Sequence, residues 1–175
     1  MDVIDYNGEG QWSRQAILAR YSKYAAHAGI VERDLSPMEH SERGRHWVYP
    51  VMLEVIEGIK ADDPACVRIG LEFIEEDARF PFGKMLKSNT ARALRRATLS
   101  EDQKRRVRRR VFGMLRAGQV PREYREYAKL VKEIGFDPDE VPDVDSCNAY
   151  VMRFRTYFDR ATRVGDPPPG NRSRQ

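Results

Sequence analysis

TLSEDQKRRVRRRVFGMLRAGQVPREYREYAKLVKEIG, residues 98–135, reads as two helices joined by a very short turn. Ser100-Glu101-Asp102-Gln103 fits a capping box, with the Ser100 hydroxyl accepting from the first turn and Gln103 reaching back to the Ser100 N–H. Glu101 and Asp102 put negative charge where the helix dipole favours it. Val107, Val111, Met114 and Leu115 recur at helical spacing and form one apolar stripe. At about 100° per residue, Arg105, Arg109 and Arg116 lie opposite that stripe. Arg106 and Arg110 flank one side of it, Lys104 and Arg108 the other. Phe112 falls among the arginines and is expected to pack on a neighbouring helix. Gly118 is the stop signal, and Pro121 is expected in the first turn of the next helix, where its missing N–H costs nothing. Tyr124, Tyr127, Ala128, Val131 and Ile134 make the buried face of that second helix, and Gly135 ends it. So short a turn makes the two helices antiparallel neighbours.

Upstream, the spacing predicts a helix over 84–97 that buries Leu86, Ala93, Leu94 and Ala97. Residues 64–79 carry Val67, Leu71, Ile74 and Ala78 on one face and Cys66, Ile69, Gly70 and Phe73 on a second, with Arg79 outside. A helix apolar on two faces packs between neighbours. Asp63-Pro64 supplies its N-cap and first residue. A long helix is expected over 39–60, flawed by Pro50, so that its regular part begins near Tyr49. Another runs over 14–28 with Ile17, Tyr21, Tyr24 and Ala28 inward, after a loose lead-in at 1–12. Downstream, an acidic loop at 136–142 leads to a last helix over 145–164, with Cys147, Tyr150, Val151, Phe154, Tyr157, Phe158 and Ala161 inward. From Gly165 the chain reads as a disordered tail, GDPPPGNRSRQ. No segment shows strand alternation. The expectation is a single all-α domain over 1–164, with about seven helices and no sheet.

Asp63-Pro64-Ala65-Cys66-Val67-Arg68 and Val120-Pro121-Arg122-Glu123-Tyr124-Arg125 share a pattern: a short turn, a proline, an exposed arginine, then a helix. This resembles the helix starts of HEAT-like repeats over residues 40–135. The resemblance implies antiparallel helix pairs stacked as a short right-handed superhelix. It also implies binding of protein or nucleic acid along a concave face, although some such proteins are enzymes, so it speaks to architecture and not activity.

The net charge of +4 over 175 residues hides a strong asymmetry. Residues 84–116 hold twelve Lys/Arg and two acids, residues 54–77 eight acids and two bases, and residues 133–145 six acids and no base. A cationic surface is therefore expected from Arg92, Arg95, Arg96, Lys104, Arg105, Arg106, Arg108, Arg109, Arg110 and Arg116. Such a surface binds nucleic-acid phosphate or an acidic protein, unless the acidic helices of the same molecule balance it. Its outer line, Arg105, Arg109 and Arg116, is expected to join Arg92 and Arg95 in one continuous patch.

Glu72, Glu75 and Glu76 cluster without a histidine at ligand spacing, which favours a charge partner over a metal. His40, Glu42 and His46 are raw material for zinc but lack the HExxH pattern, and His27 stands alone. Phe80-Pro81-Phe82-Gly83-Lys84 is either a ligand-facing loop or a connector that plugs the core. No phosphate-loop, dinucleotide or nucleophile-elbow motif occurs, so no catalytic, metal or cofactor residue is assigned. The acidic start MDVIDYNGEGQ does not read as a secretory signal, and no apolar run approaches the roughly 18 residues of a membrane span. With two cysteines, both expected on apolar helix faces, a reduced cytoplasmic protein is the expectation. The resulting reading is a non-enzymatic scaffold for a macromolecular partner, a protein or a second copy first. The alternative is nucleic acid held by the Arg-rich face, and an enzyme is the third class.

Overall fold

A computed structural model describes residues 2–77 and 80–163. In chain order these form Asp2–Asp5 (β1), Arg14–Ala28 (α1), Glu39–Glu42 (β2), Arg45–Val48 (β3), Met52–Lys60 (α2), Pro64–Glu76 (α3), Gly83–Leu94 (α4), Glu101–Arg116 (α5), Tyr124–Ile134 (α6) and Ala149–Arg163 (α7). Helix α1 packs on α3, α3 on α5 and α5 on α7, while α2 packs on α4 and α4 on α6. Contacts of α2 and α4 with α3, and of α6 with α5 and α7, join the rows. The odd helices form one layer and the even helices a second.

Helix α3 is central to this arrangement because it touches α1, α2, α4 and α5. Both of its predicted faces are buried, from Cys66 and Ile69 to Phe73 and Ile74. Asp63 caps it, its Oδ1 accepting from the N–H groups of Ala65 (2.9 Å) and Cys66 (3.1 Å), with Pro64 in the first turn. Gly58 of α2 permits the close approach: a Cβ there would lie 2.2 Å from the Cys66 Sγ.

The predicted capping box is formed, with Gln103 N–H donating to Ser100 Oγ (3.3 Å) and Ser100 N–H to Gln103 Oε1 (2.8 Å). Gly118 adopts φ +70° and closes α5, with Gln119 N–H donating to Met114 O and Gly118 N–H to Leu115 O. Pro121 is not in the first turn of α6. It lies in the preceding turn, where its carbonyl accepts from Tyr124 N–H (2.9 Å), because the fixed proline φ suits that position equally well. Phe112 packs edge-to-face between Phe136 and Phe158, as its place off the main stripe required. Val67, Leu71, Ile74, Val107, Val111, Tyr127, Val131 and Phe158 are buried, and Phe154 is half-buried against Tyr124.

The all-α expectation is corrected by a three-stranded sheet of order β1-β3-β2. Strand β1 pairs parallel with β3, and β2 antiparallel with β3. The expected lead-in at 1–12 is thus strand β1 followed by a 3-10 turn at Gly10–Trp12, which buries Trp12. The helix expected over 39–60 starts only at Met52, and its first part is the β2–β3 hairpin. Arg43 (φ +49°) and Gly44 (φ +79°) make the two-residue loop, whose left-handed backbone matches the strand twist. At the other end α7 begins at Ala149, so Cys147 lies outside it and is exposed, as is Tyr150; Ala28 at the end of α1 is exposed too. Ala78 and Arg79, expected at the end of α3, and the tail expected from 165, lie outside the described residues.

Candidate functional site

Helix α5 carries seven cations, and five of them meet carboxylates within the fold. Arg106 donates through Nε and Nη2 to both oxygens of Glu75 on α3 (2.9 and 2.5 Å). Arg108 pairs with Glu140 (3.0 Å), Arg110 with Asp77 (3.5 Å), Lys104 with Glu101 (2.7 Å), and Arg105 with Asp102. Arg109 and Arg116 are exposed and have no ion-pair partner among the described residues. The acidic cluster on α3 is consumed in the same way. Glu72 accepts from the Tyr24 hydroxyl (2.7 Å) and pairs with Arg20 and Arg68, while Glu76 accepts from the Trp12 indole (2.8 Å).

Arg92 lies on α4, with Arg95 and Arg96 just beyond its end. Helix α4 packs on α2, α3 and α6. Arg92 and Arg95 lie within ion-pair range of Glu126 Oε2 on α6 (3.3 and 3.4 Å), and Lys129 meets Oε1 (3.3 Å). Burial alone would push the Glu126 carboxyl up, but its contacts with Arg92 and Lys129 outweigh it and hold the pKa below the ordinary value. Arg96 is exposed with no ion pair among the described residues.

Arg92 also lines a cleft with Arg122 and Arg125, which are absent from the expected set. Arg122 in the turn before α6, Arg125 on α6 and Arg153 on α7 are all exposed, and among the described residues none has an ion pair. They rim a groove of about 600 Å³ between α6 and α7, floored by Phe154 and Tyr157. No acid lines it among the described residues. The floor rings are fixed edge-to-face, Phe154 against Tyr124 (4.7 Å) and Tyr157 against Phe158 (5.4 Å). Burial raises the Tyr157 pKa, and the charge of Arg95 acts on the phenol in the opposite sense. Tyr150 stands exposed at its mouth. A signal was present in the sequence: Arg122, Arg125 and Lys129 recur at spacings of three and four, as do Tyr150, Arg153 and Tyr157.

His40 and His46 lie on the hairpin, and His27 lies in the last turn of α1. Ser41 Oγ and His46 Nδ1 are 2.7 Å apart across β2 and β3, and His40 stacks on Trp47 (5.5 Å). Among the described residues no group of three His, Cys, Asp or Glu side chains is placed to hold a metal, and no helix is long and apolar enough to cross a membrane. Compared with protein-family models, curated proteins and solved structures, the chain matches none.

Proposed function

We propose that this chain is a non-enzymatic binding module that docks an acidic, aromatic-bearing segment of a protein partner on its second layer. The observation that carries this reading is the α6–α7 groove: an apolar floor, a rim of Arg122, Arg125 and Arg153, and no lining acid among the described residues. Charge complementarity on the rim steers an acidic chain, and a buried aromatic side chain supplies the anchor. Arg92 adds a cation to an adjoining cleft that Arg122 and Arg125 also line. The alternation of odd and even helices further supports a short HEAT-like superhelix whose even-helix face is the binding face. The free Cys66 and Cys147 suit a reducing, cytoplasmic setting.

Nucleic acid is the second reading. It needs open ring faces for bases to stack on, and in this groove Phe154 and Tyr157 are half-buried against Tyr124 and Phe158, while Tyr150 is the exposed ring. The test is a fluorescence titration with a short peptide of glutamates around one tryptophan, beside the same peptide without tryptophan and an oligothymidylate of equal charge. The tryptophan peptide is expected to bind best, and Arg125→Glu with Arg153→Glu to abolish it while Arg105→Glu with Arg109→Glu leaves it intact. Stronger binding of the oligothymidylate transfers the assignment to nucleic acid. Peptide binding indifferent to Arg125 and Arg153 sinks the groove altogether.

A further inference from the structure

A second concavity lies on the other side of the α6 start, between the N-terminal 3-10 turn, the end of α3 and the beginning of α4. It is an open cleft of about 1100 Å³. Trp12, Phe80, Phe82 and Met85 provide its apolar walls. Phe82 is half exposed, held 5.1 Å from the Tyr6 ring, and adopts φ +57°. A bulky side chain in left-handed backbone is uncommon, and such positions concentrate at sites of function.

On the polar wall, Lys87 is buried and its ammonium is paired with Asp77, which also meets Arg110 (3.5 Å). Glu123 is only 6% exposed and lines the same cleft. Among the described residues it has no ion pair, and its Oε2 has no hydrogen-bond donor. It stands at the N-cap of α6 yet makes no capping bond. A carboxylate buried without a donor is costly, and native structures rarely keep one without a reason. The remaining charged linings, Glu9 and Lys84, are exposed and of opposite sign. One carboxylate beside an apolar wall is the wrong donor set for a metal and the right one for an organic cation.

The geometry points to a binding site for a primary ammonium or guanidinium on an apolar body, its cation on Glu123 and its body against Phe80, Phe82 and Met85. Free amines and the lysine or arginine side chains of another protein share this chemistry. Calorimetry on the full chain with phenethylammonium, and with 2-phenylethanol as the uncharged twin, tests it. The ammonium is expected to bind once per chain and at least about tenfold more tightly than the alcohol, the value of a charge-assisted hydrogen bond. Glu123→Gln should erase that preference, and Phe82→Ala, a change at an exposed ring, should weaken both ligands. Arg153→Glu, at a residue that lines the basic groove and not this cleft, should change neither, which separates this site from the basic groove. A capped Phe-Lys-Phe peptide that binds more tightly than phenethylammonium assigns the site to a protein side chain, and the reverse order assigns it to a free amine. No ammonium binding, equal binding of the two twins, a preference that survives Glu123→Gln, or indifference to Phe82→Ala each overturns the proposal.

Discussion

Glu123 and Glu126 stand three residues apart at the start of α6, both nearly buried, and their surroundings give them opposite roles. Glu126 collects Arg92, Arg95 and Lys129. Removing its charge leaves three cations facing each other, so Glu126→Gln is expected to lower the melting temperature at neutral pH. Its folded pKa lies below the ordinary value, so the native state binds the proton less readily than the unfolded chain. The stabilisation is therefore complete above the ordinary carboxylate range and fades as pH falls through the lowered folded value. The melting difference between wild type and Glu126→Gln should shrink over that acid window; a constant gap would contradict it. Glu123 has no such partners, so Glu123→Gln should keep or raise the melting temperature, because a desolvated charge is removed. The cysteines divide in the same manner. Burial, aided by the Asp63 charge, pushes the Cys66 thiol up to about 12, so its nucleophilic thiolate is scarce, whereas Cys147 is exposed. A thiol reagent should label Cys147 quickly in the native protein and Cys66 only after denaturation. Rapid native labelling of Cys66 would show that the α2–α3 seam opens.

Helix elements differ in how closely they approach, and two glycines report it. Gly58 sits where α2 crosses α3, and its added Cβ would meet both the Sγ and the Cβ of Cys66 (2.2 and 2.8 Å). Gly113 on α5 faces open space. Alanine is the better helix former at both positions, by up to about 1 kcal/mol. Gly113→Ala should therefore stabilise by roughly that amount, while Gly58→Ala should destabilise by about 1–3 kcal/mol as the helices are forced apart. Denaturant melts of the two variants shifting in the same direction would contradict this packing. Ile74→Ala, deep in α3, should cost about 2–5 kcal/mol. The elements that the sequence made legible are those specified locally: the capping box at Ser100, the glycine stop at Gly118, the two-faced α3 behind Asp63-Pro64. The sheet was illegible because its information is non-local. Every residue of β2 is exposed, so no apolar alternation marks it, and β1 pairs with a strand some forty residues away. Arg43-Gly44 is a hairpin loop without the usual asparagine or aspartate to announce it. The candidate site was legible only in part for the same reason. Arg106, Arg108 and Arg110 look free along the chain, and packing brings Glu75, Glu140 and Asp77 to them.

Across the whole molecule, charge is sorted by layer. The odd layer joins the acidic α3 to the basic α5 through Arg106–Glu75, and Asp77 beyond the end of α3 takes Arg110, so most of the densest cationic segment is neutralised at home. The even layer and its border with α7 keep Arg96, Arg122, Arg125 and Arg153 without a partner among the described residues. This partition has a measurable consequence for non-specific nucleic-acid affinity. The logarithm of the binding constant falls with the logarithm of salt at about 0.9 per phosphate neutralised on duplex DNA. If only that row is available, the slope should be no steeper than about 4. Reversing Arg122 and Arg125 to Glu should then roughly halve it, whereas reversing Arg105 and Arg109 should reduce it less, since Arg105 already faces Asp102. Arg106→Glu is the complementary probe. It places a third carboxylate beside Glu75 and Glu72 in a half-buried pair, so it should lower the melting temperature clearly while barely moving the DNA slope. A wild-type slope of about 8 or more would mean that the internal pairs open on a polyanion. The face presented to nucleic acid would then be the whole Arg-rich set on α4 and α5, and not the row beside the α6–α7 groove.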